Sequence, residues 1–101
     1  MEVTVTHHVD DLGDMRYEYD LYEFVLGGRT MRARHYVDDA PDAIAVLGML
    51  DPERPGVPAS FYDAPEASDI VAALRDRGFK TISMLGPQGY APLDDARLGL
   101  N

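Results

Sequence analysis

Gly27-Gly28 separates two strand-favouring runs, RYEYDLYEFVL and RTMRARHYV, and nothing else in the chain restricts its folding as much. A two-residue type I′ turn needs positive φ at both central positions. Glycine accepts that without a Cβ clash, so residues 16–37 read as a β-hairpin. A two-residue loop sets Leu26 opposite Arg29, Phe24 opposite Met31, Glu23 opposite Arg32, Tyr22 opposite Ala33, Asp20 opposite His35 and Tyr19 opposite Tyr36. The pairs sort onto two faces. Leu26, Phe24, Tyr22, Met31, Ala33 and Val37 form an apolar face that should lie on the core, together with Asp20 and His35. Glu23, Arg32, Arg34, Leu21, Tyr19 and Tyr36 form the other. A slip of one residue would bury Arg32 and Arg34, so burial selects this register.

Before the hairpin, residues 2–9 (EVTVTHHV) alternate as a first strand, and DDLGD at 10–14 returns the chain to the hairpin, giving a three-strand meander. After it, DDAPDAIAVLGML resembles the later YDAPEASDIVAAL: Asp39-Ala40-Pro41-Asp42-Ala43 aligns with Asp63-Ala64-Pro65-Glu66-Ala67. Both carry a capping aspartate, a proline for the first turn and then an acid, followed by apolar residues at i, i+3, i+4 and i+7. The second copy reads as a helix over 64–77, closed by arginines and by Gly78 as its C′ residue. Residues 40–50 read equally as a second helix or a fourth strand, because Gly48 interrupts the pattern and Ile44, Val46 and Leu50 also alternate. The proline-rich DPERPGVP at 51–58 is an irregular, mobile loop. Residues 79–85 read as a strand, 86–89 as a turn and 90–93 as a short edge, with residues 94–101 a frayed tail after a single domain over 1–93.

The expected fold is thus a two-layer α+β domain. Its antiparallel sheet has four to five strands built on the 16–37 hairpin, with one or two helices (64–77, and 40–50 if helical) on one face. At 101 residues the chain suffices for one such core.

The formal charge is −9, from 18 acids against 9 bases, and Lys80 is the only lysine. So acidic a chain repels phosphate backbones and anionic lipid, which argues against nucleic acid and membrane partners. The acidity suits a basic partner, for instance a nuclease or DNA-binding protein inhibited by an acidic mimic, or else reflects the composition of a whole proteome. No cysteine is present, so disulfides and thiolate chemistry are excluded and a cytoplasmic protein is expected. No apolar run is long enough for a membrane span, and the N-terminal residues do not read as a signal peptide.

No phosphate loop, H-E-x-x-H, G-x-S-x-G or calcium loop occurs, and no cofactor is expected. Three clusters carry what chemistry there is. His7, His8, Asp10 and Asp11 have the side chains of a metal site, with His7 and Asp10 its candidate ligands. Adjacent histidines on a strand point to opposite faces, however, and the plainer reading is a solvated strand. Asp20 opposite His35 could orient an imidazole for general-base catalysis; the plainer reading is an ion pair at the open end of the hairpin. Tyr17, Tyr19 and Tyr36 share the outer hairpin face with Arg32 and Arg34, where they suit a binding surface or a second packed layer. The reading that follows is a small, non-enzymatic interaction domain that meets a protein partner or a second copy of itself through the tyrosine face. The alternatives are an enzyme or ligand-binding domain using His35 and Asp20, and an acidic inhibitor of a basic protein.

Overall fold

The computed structural model describes residues 2–26, 28–50, 58–86 and 88–100. In chain order it comprises β1 (Glu2–Asp11), β2 (Arg16–Leu26), β3 (Arg29–Tyr36), β4 (Ala43–Leu50), the two-residue β5 (Pro58–Ala59), α1 (Ala67–Asp76), β6 (Thr81–Gly86) and β7 (Gly89–Pro92). Six strands lie side by side in the order β1-β2-β3-β4-β6-β7, and β5 pairs with the end of β4. The fold is therefore α+β, but it exceeds the expected four to five strands and is not all antiparallel. β4 and β6 run parallel, Ile44 beside Ile82 and Val46 beside Met84. Parallel neighbours need a crossover, and α1 lies on it.

The hairpin register is the one a two-residue turn imposes, from Tyr19 opposite Tyr36 to Leu26 opposite Arg29. Gly28 takes φ +93°, and Gly27 lies outside the described residues. β1 extends the pair as the expected meander, with Val3 opposite Phe24 and His7 opposite Asp20.

Of the residues 40–50 that read equally as helix or strand, Ala43–Leu50 form a strand, and the reason lies at Gly48. The pairing of β3 with β4 shifts between Arg32 and Ala33, so that Gly48 faces Arg32 and Val46 faces Ala33, leaving Leu47 as the extra residue of a β-bulge. The bulge resets the alternation and sends Val46 and Met49 to the same face, both buried. A spacing of three between core residues imitates a helix, although the backbone is extended. Gly48 has φ +130° with nothing within 4 Å of an added Cβ. Its backbone conformation, not lack of space, is what calls for glycine. β4 is an almost uninterrupted apolar run, as befits a strand with neighbours on both sides.

The helix is shorter than the expected 64–77. Asp63 ends a 3-10 turn over Phe61–Asp63, and Glu66 takes the N-cap position without a side-chain cap bond. At the other end Gly78 N–H donates to Arg75 O at 2.9 Å and Phe79 N–H to Leu74 O at 3.1 Å. This is a Schellman closure, with Leu74 and Phe79 both in the core. α1 buries Ala67, Ile70, Val71 and Leu74 against Phe24, Met31, Ala33, Ile44, Val46, Ile82 and Met84 of the sheet, in one cluster.

Residues 94–100 make contacts with the rest of the domain. Asp94 caps a 3-10 turn over Asp95–Leu98. Arg75 Nη2 donates to both Asp95 oxygens at 2.8 and 3.0 Å, and Leu98 and Leu100 pack against the core. Of the proline-rich 51–58 segment expected to be irregular and mobile, residues 51–57 lie outside the described residues and Pro58 begins β5.

Candidate interaction surface

Because α1 covers one face of the sheet, strand alternation leaves the opposite face open. On it lie Thr4, Thr6 and His8 of β1, Tyr17, Tyr19, Leu21, Glu23 and Val25 of β2, and Arg32, Arg34 and Tyr36 of β3. Ala45, Ser83, Leu85 and Tyr90 continue it across β4, β6 and β7. Tyr17, Val25, Leu85 and Tyr90 are all more than a third exposed.

The expected tyrosines come together, in unequal roles. Tyr19 is only 5 % exposed although it lies on the open face. His8 stacks on it at 5.4 Å between ring centroids, the Arg34 guanidinium lies 4.2 Å over its ring, and Tyr36 leans on it at 5.6 Å. Its hydroxyl donates to Asp10 Oδ2 at 2.9 Å. Burial first, and then the bond to Asp10, push the Tyr19 phenol above its usual value of 10.0. Tyr19 thus braces the face, whereas Tyr17 stands at its surface, with its ring edge to Tyr36 at 6.4 Å. Arg34 Nη1 donates to the Tyr36 hydroxyl at 3.3 Å, and Arg32 pairs with Glu23 at 3.2 Å, as the register requires.

Asp20 and His35 face each other in register, but their side chains are engaged elsewhere. The Asp20 carboxylate lies 2.7 Å from His7 Nδ1, and His35 Nδ1 donates to the Ala43 carbonyl at 2.7 Å. The His35 ring rests against Phe79 at 5.3 Å. Sequence reasoning missed the place of His7 between Asp20 and Glu18, whose Oε2 lies 2.8 Å from Nε2. The signal was available, since the β1–β2 register that puts His7 opposite Asp20 follows from a short turn at 12–15. Asp10, the other candidate ligand, is on the opposite face beneath Tyr19, so His7 and Asp10 do not share a site. Among the described residues no three His, Asp or Glu side chains gather in an arrangement that could hold a metal ion.

His7 can donate from both ring nitrogens only when protonated, and the bonds to Asp20 and then Glu18 raise its pKa above 6.5. The folded-state value is thus above the unfolded one. The stabilisation is complete below the unfolded value and is lost as pH rises through the folded value. His7 is expected to titrate above 6.5 in an NMR titration. Urea unfolding should show less stability at about pH 8.5 than at about pH 5.5, and His7→Asn should reduce that difference.

A cleft of about 350 Å³ opens where β2 begins and β3 ends, lined by Tyr17, Glu18, Tyr36, Asp38, Asp39 and Tyr90. Asp38, Asp39 and Tyr90 were not anticipated from the sequence. Tyr90, in register with Leu85 of β6, reaches Tyr36 diagonally across the sheet, with small Ala45 and Ser83 in the intervening strands.

No helix among the described residues is long and apolar enough to cross a membrane. Comparison with protein-family models, with curated proteins and with solved structures finds no match to this chain. What the fold defines is a class by architecture, a small α+β domain with one covered and one open sheet face.

Proposed function

We propose that the protein is a small cytoplasmic interaction module that pairs with a second copy of itself through the open face of the sheet. The carrying observation is the segregation of charge. Among the described residues, alternation along the strands puts only three acids, Glu2, Asp10 and Glu23, on this face, against Arg32 and Arg34. Depletion of charge with enrichment in tyrosine and arginine is the composition of an interface core, and a nearly neutral patch lets two acidic chains approach. Six strands spaced about 4.8 Å apart give about 500 Å² in plan before side-chain relief, which approaches the roughly 800 Å² per partner of a standard interface. Reading His35 and Asp20 as a catalytic pair has less support, since each side chain is committed to another partner.

Sedimentation equilibrium tests this reading. The expected mass is twice the 11.2 kDa of the chain. Leu85→Asp and Val25→Asp, both at exposed positions of the face, should return the monomer with an unchanged far-UV spectrum. A monomer at about 100 μM wild-type chain, where even a Kd of about 10 μM would give mostly dimer, overturns it.

A further inference from the structure

We infer that the cleft at the Tyr36 end of the sheet binds an organic cation bearing hydrogen-bond donors, an alkylguanidinium or primary alkylammonium. The cleft of about 350 Å³ is lined by Tyr17, Tyr36 and Tyr90 with Asp38, Asp39 and Glu18, the Glu18 carboxylate being held towards His7 on the other face of β2; its volume is within the size range of small-ligand sites. Aromatic rings attract a cation through their quadrupole, and carboxylates and phenol oxygens accept its N–H groups. Neither Asp38 nor Asp39 forms an ion pair among the described residues.

A bare metal ion fits poorly. Half of the lining side chains are tyrosines, and the acids do not converge on a metal-sized point. The walls are formed in advance. Val37 N–H donates to Glu18 O and Asp39 N–H to Tyr36 O, both at 3.1 Å, so the turn bearing the two aspartates is tied to the strands bearing the rings. The chain also displays the same recognition within itself. The Arg34 guanidinium lies over Tyr19 and donates to the hydroxyl of Tyr36, a residue that also lines the cleft. The preference for donors over a quaternary ammonium follows from the acceptors, which outnumber what ring faces alone would need.

The test is titration of the full chain with butylguanidinium, N-acetyl-arginine amide, tetramethylammonium and Mg²⁺. It is followed by tyrosine fluorescence and NMR shifts, because the chain has no tryptophan and three of its six tyrosines line the cleft. The two guanidinium probes should saturate at about 1 mM or below and shift Tyr17, Tyr36 and Tyr90. Asp38→Asn with Asp39→Asn should weaken them about tenfold, with tetramethylammonium bound less tightly than either. Tighter binding of the arginine amide than of butylguanidinium identifies a protein side chain as the source, and equal binding a free amine. Failure to saturate by about 20 mM, equal binding to the double variant, or tighter binding of Mg²⁺ or tetramethylammonium overturns the assignment. Because Tyr17, Tyr36 and Tyr90 also belong to the open face, the titration is repeated on Val25→Asp, whose substitution lies away from the cleft; binding retained there, whatever the oligomeric mass, separates the cleft from the pairing of the faces.

Discussion

Truncating Phe24 to alanine is expected to lower stability by about 3–5 kcal/mol, enough to leave a domain of this size partly unfolded at room temperature. Phe24 is completely buried at the centre of the hairpin, with Val3 and Met31 as its cross-strand neighbours. It stands among the largest side chains of the single core cluster, facing the layer where α1 contributes Ile70, Val71 and Leu74. Removing the ring loses its transfer free energy and leaves a cavity bounded by the sheet backbone, which cannot collapse without disturbing the β2 ladders on both sides. Phe24→Leu keeps most of the volume and should cost about 1–1.5 kcal/mol. Urea unfolding monitored in the far ultraviolet checks both, and a loss below about 1 kcal/mol for the alanine variant would show that the core is arranged otherwise.

That Phe24 faces inward was legible from the sequence, because the double glycine and a period of two determine every pair of the hairpin. Local rules sufficed there, as they did for the Schellman end of α1 at Gly78. They failed at β4. Val46 and Met49 share a face only because a bulge inserts Leu47, and a bulge changes the apparent period without leaving an unambiguous mark, Gly48 being equally a helix interruption. The shared D-A-P start misled in the same way, for Asp39-Ala40-Pro41 leads into a strand and Asp63-Ala64-Pro65 into a helix. The difference is tertiary, since the first segment lies between β3 and β6. Everything depending on the parallel β4–β6 pairing was hidden with it, above all the approach of Tyr90 to Tyr36 and the cleft between them. The contact of Arg75 with Asp95 was not legible either, because the two are twenty residues apart and no pattern links them.

Tyr19 marks the boundary between what supports the open face and what that face presents. Alternation placed it with Tyr17 and Tyr36 as one more candidate contact, yet it is 5 % exposed where Tyr17 is 37 % exposed. Tyr19→Ala is expected to cost about 2–4 kcal/mol, and Tyr17→Ala less than about 1 kcal/mol. The larger loss has three parts. The buried ring itself is removed, and the stacking of His8 and Tyr36 on it is lost. Arg34 also loses the surface over which its guanidinium lies, with a buried Nε that already has no partner. Tyr19→Phe keeps the ring and gives up only the bond to Asp10, whose carboxylate can turn to water, so about 1 kcal/mol is expected. The order Ala, then Phe, then wild type in urea midpoint identifies Tyr19 as a structural brace. If Tyr19→Ala were as mild as Tyr17→Ala while dimer mass was lost, Tyr19 would instead belong to the contact surface. Only the side chains around it could then be credited with holding the face in shape.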